Sequence, residues 1–285
     1  MAEKLLEGKV ALVTGAGSNP GIGRVIAHAL VRSGARVAMV DINPVSLALS
    51  ANEAREISGD DAVLPIIGDI SDPADAERIV QEAIDGFGGL HVLVNNAGIS
   101  PASIDPSLDR NPNVWDIDPA TWARIITVNM GGAFLMSRAA IPHLLRQKWG
   151  RVIGVTTSLD TMIRGHNAPY GPSKAGHEAL VSALAQELEG TGVTANVLIP
   201  GGGTDTNFIP QTPGFDRSVL IHPGVMADPA VWLASDASDA TNGMRFTAVD
   251  WDERLPIDER IAKCAAPVAW SQLGRAAGQR IKGLV

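Results

Sequence analysis

A chain of 285 residues, 45% hydrophobic and 19% charged, carries enough apolar material for one large core or two small ones. Its formal net charge of −8 and pI near 5.2 argue against nucleic acid or an anionic membrane as partner, since neither attracts an acidic surface. The single Cys264 excludes an internal disulfide or thiolate metal cluster, Met1 to Gly8 lacks an apolar signal core, and no uninterrupted apolar run reaches the ~18 residues that span a bilayer, so a soluble, cytoplasmic protein is expected.

Short apolar runs then alternate with helix-patterned segments. Lys9–Thr14 reads as a buried strand, Gly21–Ser33 as a helix and Arg36–Asp41 as a second strand. Pro44–Ser58 is helical, Ala62–Ile66 a third strand, Pro73–Phe87 a helix and Leu90–Asn95 a fourth strand. After an irregular segment, Pro119–Lys148 reads as one long helix that Pro142 can bend. Arg151–Thr157 is a fifth strand, Pro169–Glu189 a helix, Val193–Ile199 a sixth strand, Asp228–Ser235 a short helix and Met244–Val249 a last strand. Strands without polar alternation are buried on both faces, and strand–helix alternation implies parallel pairing through right-handed crossovers. The expected fold class is α/β, a three-layer doubly wound parallel sheet in a single domain. Ligands in such sheets sit beyond the carboxyl ends of the strands.

The first strand runs into Thr14-Gly15-Ala16-Gly17-Ser18-Asn19-Pro20-Gly21-Ile22-Gly23, and a helix follows. Glycines permit a tight turn and close approach of backbone to a pyrophosphate, whose charge a helix N-terminus favours. An ordinary turn before a helix would also be glycine-rich. The sign of a nucleotide site is Asp41, which ends the second strand 18 residues after Gly23, near the ~20 expected of a carboxylate that accepts from a ribose hydroxyl. Asp41 would repel a 2′-phosphate, and neither Ile42 nor Asn43 supplies a cation, although Arg24 lies nearby in sequence. NAD(H) is therefore favoured over NADP(H).

Tyr170, the only tyrosine, stands four positions before Lys174. On a helix the two share a face, and an ammonium beside a phenol would draw the phenol pKa down from ~10. A phenol so tuned exchanges a proton with an alcohol or carbonyl near neutral pH. A surface helix pair would show the same spacing.

Taken in order, these motifs resemble the short-chain dehydrogenase/reductase family over about residues 5–250. Thr14, Gly15, Gly21 and Gly23 are similar to its Thr-Gly-x-x-x-Gly-x-Gly, with a two-residue insertion around Ser18-Asn19-Pro20. The resemblance implies a Rossmann-like fold and hydride transfer between NAD(H) and a secondary alcohol or ketone. It implies cofactor contacts at Gly15, Gly17, Asn19, Gly21, Ile22 and Gly23, at Asp41 and Ile42, at Asp69 and Ile70 beside the adenine, and at Asn96, Ala97 and Gly98 of Asn95-Asn96-Ala97-Gly98. Further contacts fall at Tyr170, Lys174, Pro200 and Gly201. Tyr170 would be the general acid and base. Lys174 would lower its pKa and hold the nicotinamide ribose, and Asn129 would hold a water of the proton relay.

The family places a serine 13 residues before the tyrosine, where this chain has Thr157, with Ser158 next to it. Either hydroxyl could bond the substrate oxygen. Ser158 is slightly preferred because it lacks the methyl group that would crowd a substrate, and a third reading leaves Thr156, Thr157 and Ser158 only satisfying strand-end backbone. The scattered His28, His91, His143, His166, His177 and His222 show no metal spacing, so no metal is expected; His166 is a minor substrate-facing candidate. Gly201 to Pro223 suits a mobile lid, and Ile99 to Trp115 and Thr161 to Ile163 suggest a partly apolar pocket. Asp205, Thr206 or Asn207 could meet the cofactor carboxamide. Residues 251–285 form an extension beyond the catalytic domain of residues 1–250, with Trp270, Arg275, Arg280 and Lys282; it would cover a neighbouring active site, join a subunit interface or be poorly ordered. The family implies a homo-oligomer, tetramer or dimer, with the long helix and the helix after Tyr170 at interfaces. The competing readings are an epimerase or dehydratase that retains NAD, and a catalytically silent NAD-binding regulator.

Overall fold

Eight strands lie in one sheet in the order β3-β2-β1-β4-β5-β6-β7-β8 in a computed structural model that describes residues 4–105, 112–210 and 215–273. Seven pair in parallel: β1 (Val10–Thr14), β2 (Arg36–Asp41), β3 (Val63–Ile67), β4 (Val92–Asn95), β5 (Gly150–Val155), β6 (Val193–Ile199) and β7 (Met244–Thr247). The sheet grows outward from β1 in both directions, so the chain reverses its winding between β3 and β4. That reversal opens a crevice at the carboxyl ends of β1 and β4.

The helices are α1 (Ile22–Arg32), α2 (Pro44–Ser58), α3 (Pro73–Phe87), α4 (Pro101–Ile104), α5 (Pro119–Ile126), α6 (Gly132–Gln147), α7 (Leu159–Ile163), α8 (Tyr170–Glu187), α9 (Ala227–Leu233) and α10 (Ile257–Cys264). One sheet face buries Val13, Met39, Val155 and Phe246 against Ile26 and Leu30 of α1, Leu47 of α2 and Leu233 of α9. The other buries Leu12, Leu93, Val152 and Val197 against Ile79 of α3, Met136 and Leu144 of α6 and Val181 of α8. The chain is thus a single α/β domain of three layers, and the strands lack polar alternation because both faces are covered.

Helix starts agree with the sequence where a side-chain cap precedes proline. Asn43 accepts from the Val45 and Ser46 amides ahead of Pro44, and Asp72 accepts from the Asp75 amide ahead of Pro73. Elsewhere boundaries move by a residue or two. The fifth strand stops at Val155, so Thr156 to Ser158 lie beyond it and strand alternation says nothing about their directions.

Three expectations need correction. The long helix is not uniform: a π-helical turn, Thr127–Gly131, separates α5 from α6 and carries Asn129. Pro119–Gln147 is long and apolar enough to cross a bilayer by length and composition alone, and it buries Ile125, Met136, Ala140 and Leu144 inside the protein. β7 is not the last strand and the sheet is not wholly parallel. β8 (Ala265–Pro267) pairs antiparallel with β7 and belongs to the extension. That part of the extension is folded, with Cys264 and Val268 buried; Arg275, Arg280 and Lys282 lie outside the described residues.

Leu30 is fully buried. Leu30→Ala should lower the unfolding free energy by ~2–5 kcal/mol in urea titrations, through lost burial and the cavity left behind. A loss below ~1 kcal/mol would contradict this packing.

Candidate active site

The carboxyl ends of the central strands open on a cavity of about 1020 Å³. Its cofactor side is built by the glycine turn folding against the end of β4. Gly15 has φ +67, and a Cβ there would stand 2.9 Å from the Ala97 Cα. A Cβ on Gly23 would stand 2.3 Å from the Gly15 carbonyl oxygen, so only glycine fits. The Asn96 amide donates to the carbonyls of Thr14 (2.9 Å) and Gly15 (3.2 Å). The Thr14 hydroxyl donates to the Val94 carbonyl and accepts from the Asn96 and Ala97 amides. Thr14 and Asn96 therefore hold the turn in place. Gly21 caps α1 without a side-chain hydrogen bond, so no cap side chain satisfies the first-turn amides, and Gly21, Ile22 and Gly23 line the cavity.

Asp41, half-buried on the cavity wall, accepts from the Gly17 amide at 2.9 Å and the Asn43 amide at 3.0 Å. Ile42 is exposed at the rim. Asp69 accepts from the amide and hydroxyl of Ser71 and from the Arg124 guanidinium at 3.0 Å. Burial opposes ionisation of this carboxyl, but those bonds outweigh it and hold the pKa below the usual carboxylate range. Ile70 follows, buried against Gly132. Gly21, Ile22, Ala97, Gly98, Pro200 and Gly201 also line the cavity. A bare-backbone turn at a helix start, a carboxylate at the end of β2 and a second at the end of β3 fit a dinucleotide.

Gly17 and Asn19, expected at the cofactor, do not line this cavity. Gly17 is buried behind Asp41, where a Cβ would meet Ser46 Oγ at 2.8 Å. Asn19 is exposed, and its carbonyl accepts from the Asn207 amide side chain at 2.6 Å. The Asn207 main-chain amide donates to the Pro20 carbonyl at 3.0 Å. The insertion in the glycine turn is thereby tied to the segment after β6, which the sequence had no means of showing. Asn207 is committed to that tie and Asp205 to Arg217, while the Thr206 hydroxyl, on the cavity wall, donates to the Thr204 carbonyl at 3.4 Å.

Arg217 also donates to the carbonyls of Thr206 and Ile209, so the segment expected to be a lid is clamped. Phe208 lies on Tyr170, ring centroids 4.9 Å apart.

Tyr170 and Lys174 begin α8 and both line the cavity. Lys174 is buried and donates to the Val155 carbonyl at 2.9 Å. Gly98 permits this approach, since a Cβ there would stand 3.3 Å from Lys174 Nζ. Burial brings the lysine down to about 8. The expected lowering of the tyrosine is not found: burial pushes the Tyr170 phenol up, far above its ordinary range, while the Lys174 ammonium is spent on a carbonyl.

Asn129 does not line the cavity either. Its fully buried side chain exchanges hydrogen bonds with the Ile99 backbone (2.8 and 2.9 Å) and donates to Ser173 Oγ at 2.9 Å. The three strand-end hydroxyls part ways. Thr156 donates to Glu178 at 2.9 Å, and Ser158 caps α7, sharing a 2.8 Å bond with the Thr161 hydroxyl. All three residues line the cavity, and of the three only the Thr157 hydroxyl has no hydrogen bond to any described residue. His166 is exposed, and among the described residues no group of His, Cys, Asp and Glu could hold a metal ion.

The Lys174 pKa carries a stability consequence. Between about 8 and its unfolded value of ~10.4, the unfolded chain holds a proton that the folded chain lacks. Stability from this group therefore rises with pH across that window, by at most ~1.4 kcal/mol per pH unit. Chemical denaturation across the window should show a rise that flattens in Lys174→Met; equal slopes would contradict the buried lysine.

The family pattern described as short chain dehydrogenase matches residues 9–212. An L-rhamnose-1-dehydrogenase of Scheffersomyces stipitis is 32% identical over 256 residues, covering 85% of this chain and 95% of that protein. An NADPH-dependent aldehyde reductase of Arabidopsis thaliana is 37% identical, covering 85% and 93%. A 3-ketoacyl-(acyl-carrier-protein) reductase from Brucella melitensis, solved with NADH, superposes with a TM-score of 0.73 at 31% identity, covering 83% of this chain and 95% of that one. With its Rossmann-like sheet, its glycine turn and its Tyr170–Lys174 helix, the chain belongs to the short-chain dehydrogenase family of oxidoreductases.

Proposed function

We propose that this chain transfers a hydride between NAD(H) and a secondary alcohol or ketone, with Tyr170 as general acid and base. The observation that carries this reading is that Tyr170, Lys174 and the uncommitted Thr157 line the same cavity as the glycine turn and Asp41. When bound, the nicotinamide cofactor supplies or receives the hydride. Tyr170 donates a proton to the carbonyl oxygen during reduction and accepts it during oxidation. Its raised pKa keeps the phenol protonated at neutral pH, ready to donate in reduction, whereas oxidation needs the phenolate and is favoured as pH rises. Thr157 donates a hydrogen bond to the same oxygen, and with Ser158 committed to its helix cap the slight preference for serine passes to threonine. Lys174, mostly protonated at pH 7, would supply a cation to hold the nicotinamide ribose. Asn129 acts as a positioning residue, joining Ile99 beside Gly98 to Ser173 on α8.

NAD(H) is preferred on charge grounds. Asp41 faces the cavity as a carboxylate, and Arg24 is turned into an ion pair with Glu53. The substrate side mixes Ala102, Phe208, Ile209 and Pro210 with Ser103, Thr161 and Asn167, which suits a compact polar alcohol or ketone with an apolar portion. We also infer a homo-oligomer, because Trp122, Met130 and Phe134 are exposed along the 119–147 helical run. The acidic charge and the single buried Cys264 suit a cytoplasmic enzyme.

A panel of sugars, aldonates, β-keto esters and aliphatic alcohols and ketones, assayed with NAD(H) and NADP(H), tests this reading. Tyr170→Phe should lose ~10²–10⁴-fold in kcat with NADH binding nearly unchanged. Thr157→Val should lose ~10²-fold and Ser158→Ala less than ~3-fold; the reverse order would transfer the role to Ser158. Asp41→Ala should narrow the NADH/NADPH preference in kcat/KM by about tenfold, equivalent to ~1.4 kcal/mol. An unchanged ratio would remove Asp41 from cofactor selection.

A further inference from the structure

A buried ion pair lies behind the cavity wall, and the reaction proposed above does not use it. Glu178 sits one turn beyond Lys174 on α8 with a side chain 0% exposed, and Arg245 on β7 is 11% exposed. Glu178 accepts from Arg245 Nε at 2.9 Å and Nη2 at 3.3 Å. It also accepts from the Thr156 hydroxyl at 2.9 Å and the Ala269 main-chain amide at 3.2 Å. Arg245 Nη2 donates in turn to the Thr157 carbonyl at 2.8 Å. Its outer side is covered by the Trp270 ring, 5.6 Å from centroid to guanidinium.

These contacts follow one another along the chain beyond β5. Lys174 holds the Val155 carbonyl, Glu178 holds the Thr156 hydroxyl and Arg245 holds the Thr157 carbonyl. The strand ladder ends at Val155 apart from the Thr156 amide, which donates to the Leu198 carbonyl at 3.3 Å, and Ser158 is held as the cap of α7; Thr157 between them has the Arg245 bond as its main-chain anchor. The extension seals the pair from outside. Ala269 (φ +54) and Trp270 (φ +50) both occupy the left-handed region, which is unfavourable for residues with a Cβ. The Ala269 amide on Glu178 and the Trp270 ring on Arg245 are what this backbone achieves.

We propose that Glu178 and Arg245 are positioning residues that aim the Thr157 hydroxyl, and that residues 265–270 of the extension serve to close them in. The inference rests on Thr157 being the substrate-binding hydroxyl. A misplacement of about 1 Å in such a group costs on the order of 10²-fold in rate, so a rigid anchor on its own peptide matters. A pair that merely braced the fold would affect stability without depending on that hydroxyl.

Removing one charge would leave the other buried and unpaired, so the pair is best replaced together. Arg245→Met/Glu178→Leu is made in the parent and in Thr157→Val, with the panel ketone turned over fastest by the parent as probe and thermal melting to verify folding. In the parent, kcat should fall at least tenfold with KM for NADH changed less than twofold. In Thr157→Val, already impaired, the same replacement should cost less than a further twofold, because its target is gone. If the double replacement fails to fold, Arg245→Lys reads the same coupling, since lysine keeps the charge but not the fork that reaches both Glu178 and Thr157. Equal fold losses in both backgrounds, or no loss in the parent, would overturn the positioning role while leaving Thr157 in place. Full activity in Thr157→Val alone would overturn the hydroxyl assignment, and the positioning role with it.

Discussion

The hydrogen bond from the Lys174 ammonium to the Val155 carbonyl is the contact on which the site depends. A buried cation is costly unless it is hydrogen-bonded, and this one donates at the end of β5. The bond fixes the start of α8 against the sheet edge where ligands collect. It places Tyr170, four residues earlier, on the cavity wall, and a Cβ at position 98 would crowd it, 3.3 Å from Lys174 Nζ. Its cost is visible in the lysine, brought down to about 8. The same burial raises the tyrosine, so the two groups do not tune each other in the simple way that their spacing suggests.

The other half of the site is a backbone structure. Thr14 and Asn96 use their side chains to hold the glycine turn against β4, so what that side offers the cavity is backbone and the Asp41 carboxyl. The insertion in the turn extends this arrangement. Through Asn207 it joins the turn to the segment that carries Phe208 onto Tyr170. Arg217 then clamps that segment from outside. Cofactor side and substrate side are thereby mechanically connected in this chain by contacts that begin at Ser18-Asn19-Pro20.

Most of the fold was legible because its signals are local. Apolar runs covered on both faces mark strands, and Asn43-Pro44 and Asp72-Pro73 mark helix starts. The glycine turn and the Tyr170–Lys174 spacing were readable for the same reason. What was hidden depends on partners distant in sequence. The π-turn at Thr127–Gly131 leaves the apolar pattern nearly intact, and β8 is an Ala-Ala-Pro segment with no strand propensity. Three adjacent hydroxyls look alike as letters, and all three residues line the cavity; they differ in what receives them, Glu178 for Thr156, a helix cap for Ser158 and no described partner for Thr157. Arg245 and Glu178 stand 67 residues apart, beyond the reach of any periodicity. Gly17 and Asn19 were assigned to the cofactor by their place in a motif, while their actual positions follow from the turn geometry around the insertion.

Hydride transfer between NAD(H) and a ketone is the central claim, and isotope transfer tests it most directly. The enzyme is supplied with NADH deuterated on the reactive face of nicotinamide C4 and with the panel ketone turned over fastest, and the product is examined by NMR. Deuterium at the carbinol carbon, together with a slower reaction than with unlabelled NADH, is the predicted result. A product carrying no deuterium at that carbon would contradict the account.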